Sequence, residues 1–142
     1  MNITFLHQSA QYTLLSLTCK DSFQVTLNSI GASIRSIGYT DSAEKFKNIA
    51  LSFASDSDYT GNTLYAGATL GPCAGRISNG WLSLPAKKYH LTRNEKNRHC
   101  LHSGIHSVSF INWTLVSVRE EDTCAEALFQ CTLPDCCDGF PG

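Results

Sequence analysis

At 142 residues, 42% hydrophobic and 16% charged, the chain is long enough for one domain with a real core and too apolar to be disordered. Its 11 Lys and Arg against 12 Asp and Glu leave a net charge of −1, which supplies no basic face for nucleic acid and no electrostatic case for a membrane surface. No apolar run approaches the ~20 residues that span a bilayer. The opening "MNITFLHQSAQ" has neither the basic nor the apolar region of a signal peptide.

In chain order, period-two alternation dominates. "YTLLSLT" (12–18) is strand-like, and in "FQVTLN" (23–28) Phe23, Val25 and Leu27 share one face while Gln24, Thr26 and Asn28 share the other. Lys20-Asp21-Ser22 between them fits a hairpin connection. A third run, "ASIRSIGY" (32–39), has Ile34 and Ile37 out of register, which predicts a bulge or bend. Residues 40–48 read as a polar loop, "NIALSF" (48–53) as a fourth strand, and 54–63 as a loop.

"GPCAGRISNG" (71–80) follows, opening on a Gly-Pro that a strand interior disfavours and ending on an Asn-Gly turn signal. "GWLSL" (80–84) and "KKYHL" (87–91) predict a hairpin around Pro85-Ala86, and "TRNEKNRH" (92–99) a loop. "NWTLVSV" (112–118) and "AEALFQC" (125–131) predict a second pair joined by the acidic "REEDT". No 3.6-residue pattern lasts three turns, so the class is all-β and antiparallel, a sandwich. The chain ends on "LPDCCDGFPG", dense in turn formers, where a further strand is expected.

Two residues stand out in bare surroundings. Arg76 alone reads as a solvated surface arginine, yet the small residues beside it leave its planar fork accessible to hydroxyls or a carboxylate. His102 lies in "LHSG", where Ser103 and Gly104 permit close approach of a ligand, although a lone histidine is more often structural. Nothing in the placement of His90, His99 or His106 points to the same cleft. A zinc set drawn from His99, Cys100, His102, Cys136 and Cys137 matches none of the common closed frames, so no metal is expected. Seven cysteines at 19, 73, 100, 124, 131, 136 and 137, with no CxxC, read as reduced thiols of a cytoplasmic protein.

The order of motifs adds a resemblance. "IGASIRSI", then "YTGNTLYAGATLGPCAGRISNGWLSLPAKKYHLTRNEKNRHCLHSG", then "INWTLVSV" and "DGFPG" together resemble the aldose 1-epimerases, the galactose mutarotase family, over residues 12–142. The resemblance implies an antiparallel β-sandwich of the galactose mutarotase type, with residues 1–142 as the N-terminal portion of a single domain. It implies interconversion of the α and β anomers of a free aldose such as galactose or glucose, without a cofactor. By the same resemblance Arg76 and His102 bind sugar hydroxyls. Gly75 stands where the family has an asparagine, Pro72 where it has a further arginine, and Ser103 where it has glycine. The family's histidine acid and glutamate base lie beyond Gly142, so no catalytic residue is named. The chain also fits a sugar-binding module that kept Arg76 and His102 without an acid and base, or a decayed fragment.

Overall fold

The computed structural model describes residues 1–20 and 22–142. The chain divides into two compact units. One comprises residues 1–69 and 112–131, the other residues 70–111 and 132–142. Among the described residues there is no α-helix, only strands and short 3₁₀ turns, and no helix is long and apolar enough to cross a membrane.

The first unit holds a five-stranded antiparallel meander in the order β1-β2-β3-β4-β5: Asn2–Gln8, Thr13–Cys19, Phe23–Asn28, Ser33–Thr40 and Phe46–Asn48. The connection read at Lys20-Asp21-Ser22 joins β2 to β3, and Asp21 itself lies outside the described residues. The bulge foreseen in the third run is present. Thr26 pairs with Ser36 while Leu27 pairs with Ile34, so Arg35 is the extra residue on β4. There it pairs with Asp56 at 2.7 Å, its guanidinium 5.7 Å from the ring centre of the buried Tyr59. In β3 the closely covered face is the polar one, with Thr26 5% and Asn28 0% exposed, while Phe23 at the strand start is open to solvent.

Two expectations need correction. The fourth strand is Phe46–Asn48, not 48–53. The Asn48 side chain accepts from the Ala50 and Ile37 N–H groups, which turns the chain out of the sheet at that residue. The N-terminal residues, given no strand above, form β1, an edge strand exposed on nearly every side chain. Two further strands, β10 (Thr114–Glu120) and β11 (Ala125–Gln130), form the predicted hairpin in this unit, with Arg119 and Glu120 inside the strand rather than in the connection.

The second unit is built from short pieces. β6 (Arg76–Ile77) pairs with β9 (Cys100–Leu101), and β7 (Trp81–Leu84) with β8 (Lys87–His90) across the expected Pro85-Ala86 turn. Leu91, Cys100 and Phe140 form its buried centre, with Cys73, Ile77, Leu82 and Tyr89 packed against them. Phe140 of the C-terminal "DGFPG" is therefore core. Burying a side chain of this kind contributes about 1.5–3 kcal/mol.

Candidate sugar-binding site

The site forms where the β6–β9 pair ends. Arg76 lies opposite Leu101, so the residues next to each, Gly75 and His102, face one another. The His102 N–H donates to the Gly75 carbonyl oxygen at 2.9 Å, and the Gly75 N–H donates to His102 Nδ1 at 3.1 Å. A backbone N–H can only donate, so Nδ1 is the acceptor and the hydrogen of the neutral ring sits on Nε2. The ring can therefore give an N–H to an oxygen of a ligand.

Beyond the pair the backbone bends through three left-handed residues: His102, Ser103 and Gly104 have φ of 47°, 70° and 96°. Such a conformation costs roughly 1–2 kcal/mol for a residue with a Cβ. Local bonds offset it. The Ser103 hydroxyl, 2% exposed with its residue, accepts from the Cys73 N–H at 2.7 Å and donates to the Cys73 carbonyl at 2.8 Å. At Gly104 a Cβ would collide with the Asp138 side chain. Asp138 Oδ2 accepts the His106 N–H at 2.6 Å, so the C-terminal motif ties down the loop after His102.

Arg76 projects into solvent, its side chain 59% exposed, but it is not unpaired. Its Nε and Nη2 donate to Glu95 Oε2 and Oε1, each at 2.7 Å, a two-point fork. Glu95 is the more covered partner, its side chain 18% exposed. Its backbone exchanges two hydrogen bonds with His99, and the preceding Asn94 donates to and accepts from the Leu101 backbone. The hydrogen bonds from Arg76 hold the Glu95 carboxyl below its ordinary range, and Glu95 in turn raises Arg76. The fork uses two of the five guanidinium N–H donors.

The structure thus brings Arg76, Gly75 and His102 together, and adds Glu95, which the sequence reading had passed over, and His99, which it had set apart from this place and which the backbone bonds to Glu95 bring beside it. The only hint in the sequence was one acid among the cations of "TRNEKNRH". His90 lies elsewhere, edge-on to Trp81, and His106 sits 3.5 Å from Asp138 Oδ1. Cys100 is fully buried in the centre of its unit, and burial pushes its thiol up. Among the described residues no three His, Cys, Asp or Glu side chains converge as a metal would need, and all seven cysteines are free.

Comparison with known proteins gives this geometry its setting. The aldose 1-epimerase family model matches residues 13–142. The aldose 1-epimerase of Streptococcus thermophilus is 29% identical over 134 residues, 94% of this chain and 38% of that protein. Among solved structures, a GalM/aldose epimerase homologue from C. elegans aligns over 92% of this chain and 39% of its own, at 25% identity and a TM-score of 0.79. The galactose 1-epimerase of Lactobacillus acidophilus NCFM aligns over 99% of this chain and 41% of its own, at 22% identity and a TM-score of 0.81. This chain spans about two fifths of the length of these relatives, and shares their galactose mutarotase-like antiparallel β-sandwich fold. The chain belongs to the aldose 1-epimerase family.

Proposed function

We propose that this chain supplies the sugar-holding face of an aldose 1-epimerase, an isomerase that interconverts the α and β anomers of an aldohexose such as galactose or glucose. The observation that carries the reading is the meeting of Arg76, Gly75 and His102 at one end of the β6–β9 pair. Arg76 offers charge-assisted donors to adjacent hydroxyls, and His102 offers Nε2–H. Both units belong to a single catalytic domain of a cytoplasmic protein, a setting that the seven free thiols support.

In the reaction a base takes the proton of the anomeric hydroxyl while an acid protonates the ring oxygen. The C1–O5 bond breaks, C1=O forms, the C1–C2 bond rotates, and the ring recloses from the other face. No cofactor takes part. Arg76 and His102 hold the ring for these transfers, which is positioning. The acid and the base are assigned to no residue of this chain.

The test is a titration of galactose and glucose into isotope-labelled protein, read at the Arg76 and His102 side-chain signals. Shifts should centre there, and Arg76→Ala should weaken binding roughly ten- to a hundredfold, the worth of a charge-assisted hydrogen bond. Shifts confined to other residues would overturn the reading. Polarimetry on fresh α-D-glucose should give the buffer rate. A protein-dependent rate lost in His102→Ala would place an acid–base pair within these residues, against this assignment.

A further inference from the structure

The net charge of −1 hides a strong asymmetry. Residues 76–99 carry six of the 11 Lys and Arg and a single acid, Glu95, while the other eleven acids lie elsewhere in the chain. That one acid is committed to Arg76. Among the described residues, no other Lys or Arg of this segment makes an ion pair. Arg93 Nε donates to the Asn79 carbonyl oxygen at 3.0 Å, and Arg98 Nε donates to Asn79 Oδ1 at 3.1 Å. Two guanidinium groups are thus docked on one residue, and among the described residues neither makes an ion pair. Both arginines are exposed, so solvent screens the repulsion between them, and an anion that reaches both is held by their combined charge.

The arrangement is built by the backbone. Asn79 is left-handed at φ 55°, and its N–H donates to His99 Nδ1 at 3.3 Å, which leaves the hydrogen of the neutral His99 ring on Nε2. The stem of Arg93 crosses Gly80, where a Cβ would stand 3.0 Å from Arg93 Cγ and 2.9 Å from the Leu91 carbonyl. Gly80 also has φ 65°, so glycine there serves both the turn and the arginine. His99 exchanges backbone hydrogen bonds with Glu95, the partner of Arg76. The arginine pair and the sugar-holding arginine are therefore linked through one short bridge.

We propose that Arg93 and Arg98, docked on Asn79 with His99 beside them, form an anion site for the phosphate of a sugar phosphate. This rests on the sugar-holding reading of Arg76 and His102 and names its substrate class. Mutarotation requires a free anomeric hydroxyl, so the phosphate must sit on another carbon, and an aldohexose 6-phosphate meets that condition. Guanidinium forks match phosphate oxygens in two-point geometry, which a neutral hydroxyl does not reward as strongly.

The experiment titrates the labelled chain with glucose, glucose 6-phosphate, inorganic phosphate and a short single-stranded oligonucleotide. Glucose 6-phosphate should bind at least roughly tenfold tighter than glucose at low salt, from two charge-assisted contacts, with the preference shrinking as salt rises. Its shifts should include the Asn79 and His99 amides, a readout in the unaltered protein. Arg93→Gln/Arg98→Gln should bring its affinity down to that of glucose. Equal affinities in the unaltered chain, or a preference that survives the double substitution, would overturn the proposal. Tighter binding of the oligonucleotide through the same two arginines would overturn the monoester assignment. If neither sugar shifts Arg76 or His102 while inorganic phosphate shifts Asn79 and His99, the sugar-holding reading fails and the anion site stands.

Discussion

Gly75 and His102 hold each other by two hydrogen bonds, one between main chains at 2.9 Å and one from the Gly75 N–H to the imidazole Nδ1 at 3.1 Å. On the reading proposed above, the imidazole has a structural end at Nδ1 and a sugar-binding end at Nε2. The two can be separated by substitution. His102→Asn places an amide oxygen near the position of Nδ1, and asparagine tolerates the φ of 47°. It should keep the urea midpoint close to that of the unaltered chain while sugar affinity falls roughly five- to tenfold, the net worth of one neutral hydrogen bond. His102→Gln loses the Gly75 bond and should cost about 1 kcal/mol of stability. If His102→Asn binds sugar as well as before, the Nε2 end is not a ligand contact.

Ser103 offers a test of how the loop bears its left-handed residues. By resemblance the family has glycine here. The serine hydroxyl satisfies both the N–H and the carbonyl of Cys73, which a glycine could not reach. Ser103→Ala keeps the backbone cost and removes both bonds, so it should destabilise by about 1–3 kcal/mol. Ser103→Gly removes the bonds and the cost together, and should fall within about 1 kcal/mol of the original. Chemical denaturation of the two variants decides it. Equal losses would mean that the backbone at Ser103 carries no strain worth relieving.

The longer strands were legible because alternation over six or seven residues has one reading. Phe23–Asn28 falls on its predicted bounds, and the misplaced Ile34 and Ile37 announced the bulge at Arg35. β6 and β9 were not legible, since a two-residue strand carries no period and its partner lies 24 residues away. The fourth strand was misplaced because hydrophobicity at Ile49 and Leu51 outweighed the turn made by the Asn48 side chain. Arg76 and His102 stood out in the sequence by their bare surroundings, and the order of motifs gave them a sugar-binding role only by resemblance. Glu95 did not, because a lone acid between cations in a polar loop reads as solvated until the β6–β9 pair brings Arg76 to it.

Gly75 occupies the position where the resemblance places asparagine, and the structure leaves room for one. A Cβ there meets nothing within 4 Å. Its φ is 81°, a left-handed value that asparagine accepts more readily than other residues with a Cβ. Gly75→Asn should change stability by no more than about 1 kcal/mol, with reduced freedom of the unfolded chain offsetting part of the strain. It should raise galactose affinity several-fold by adding an amide beside Arg76. Calorimetric titration of the two proteins measures this. A weaker affinity in Gly75→Asn would show that the open space at Gly75 is needed by the ligand itself.

The fork between Arg76 and Glu95 should make stability depend on acid in a defined direction. Hydrogen bonds from Arg76 hold the Glu95 carboxyl below its ordinary value, against a smaller opposing effect of burial. In the unfolded chain a glutamate titrates near about 4.3. The folded protein therefore keeps Glu95 ionised where the unfolded chain would take up the proton. The stabilisation is fully present above the unfolded value, and is lost as pH falls through the lower folded one. The urea midpoints of the unaltered chain and Glu95→Gln should differ by a constant amount above roughly pH 5.5, and the gap should close toward pH 3. Other carboxylates titrate in both proteins and drop out of the difference, unless they are coupled to Glu95. In Arg76→Ala the dependence should shrink markedly, because the group that lowers Glu95 most is gone and only the weaker pull of Lys96 and His99 remains. A gap that stays level from pH 7 to 3, or one that persists unchanged without Arg76, would mean that the fork seen at 2.7 Å contributes nothing to the folded state in solution.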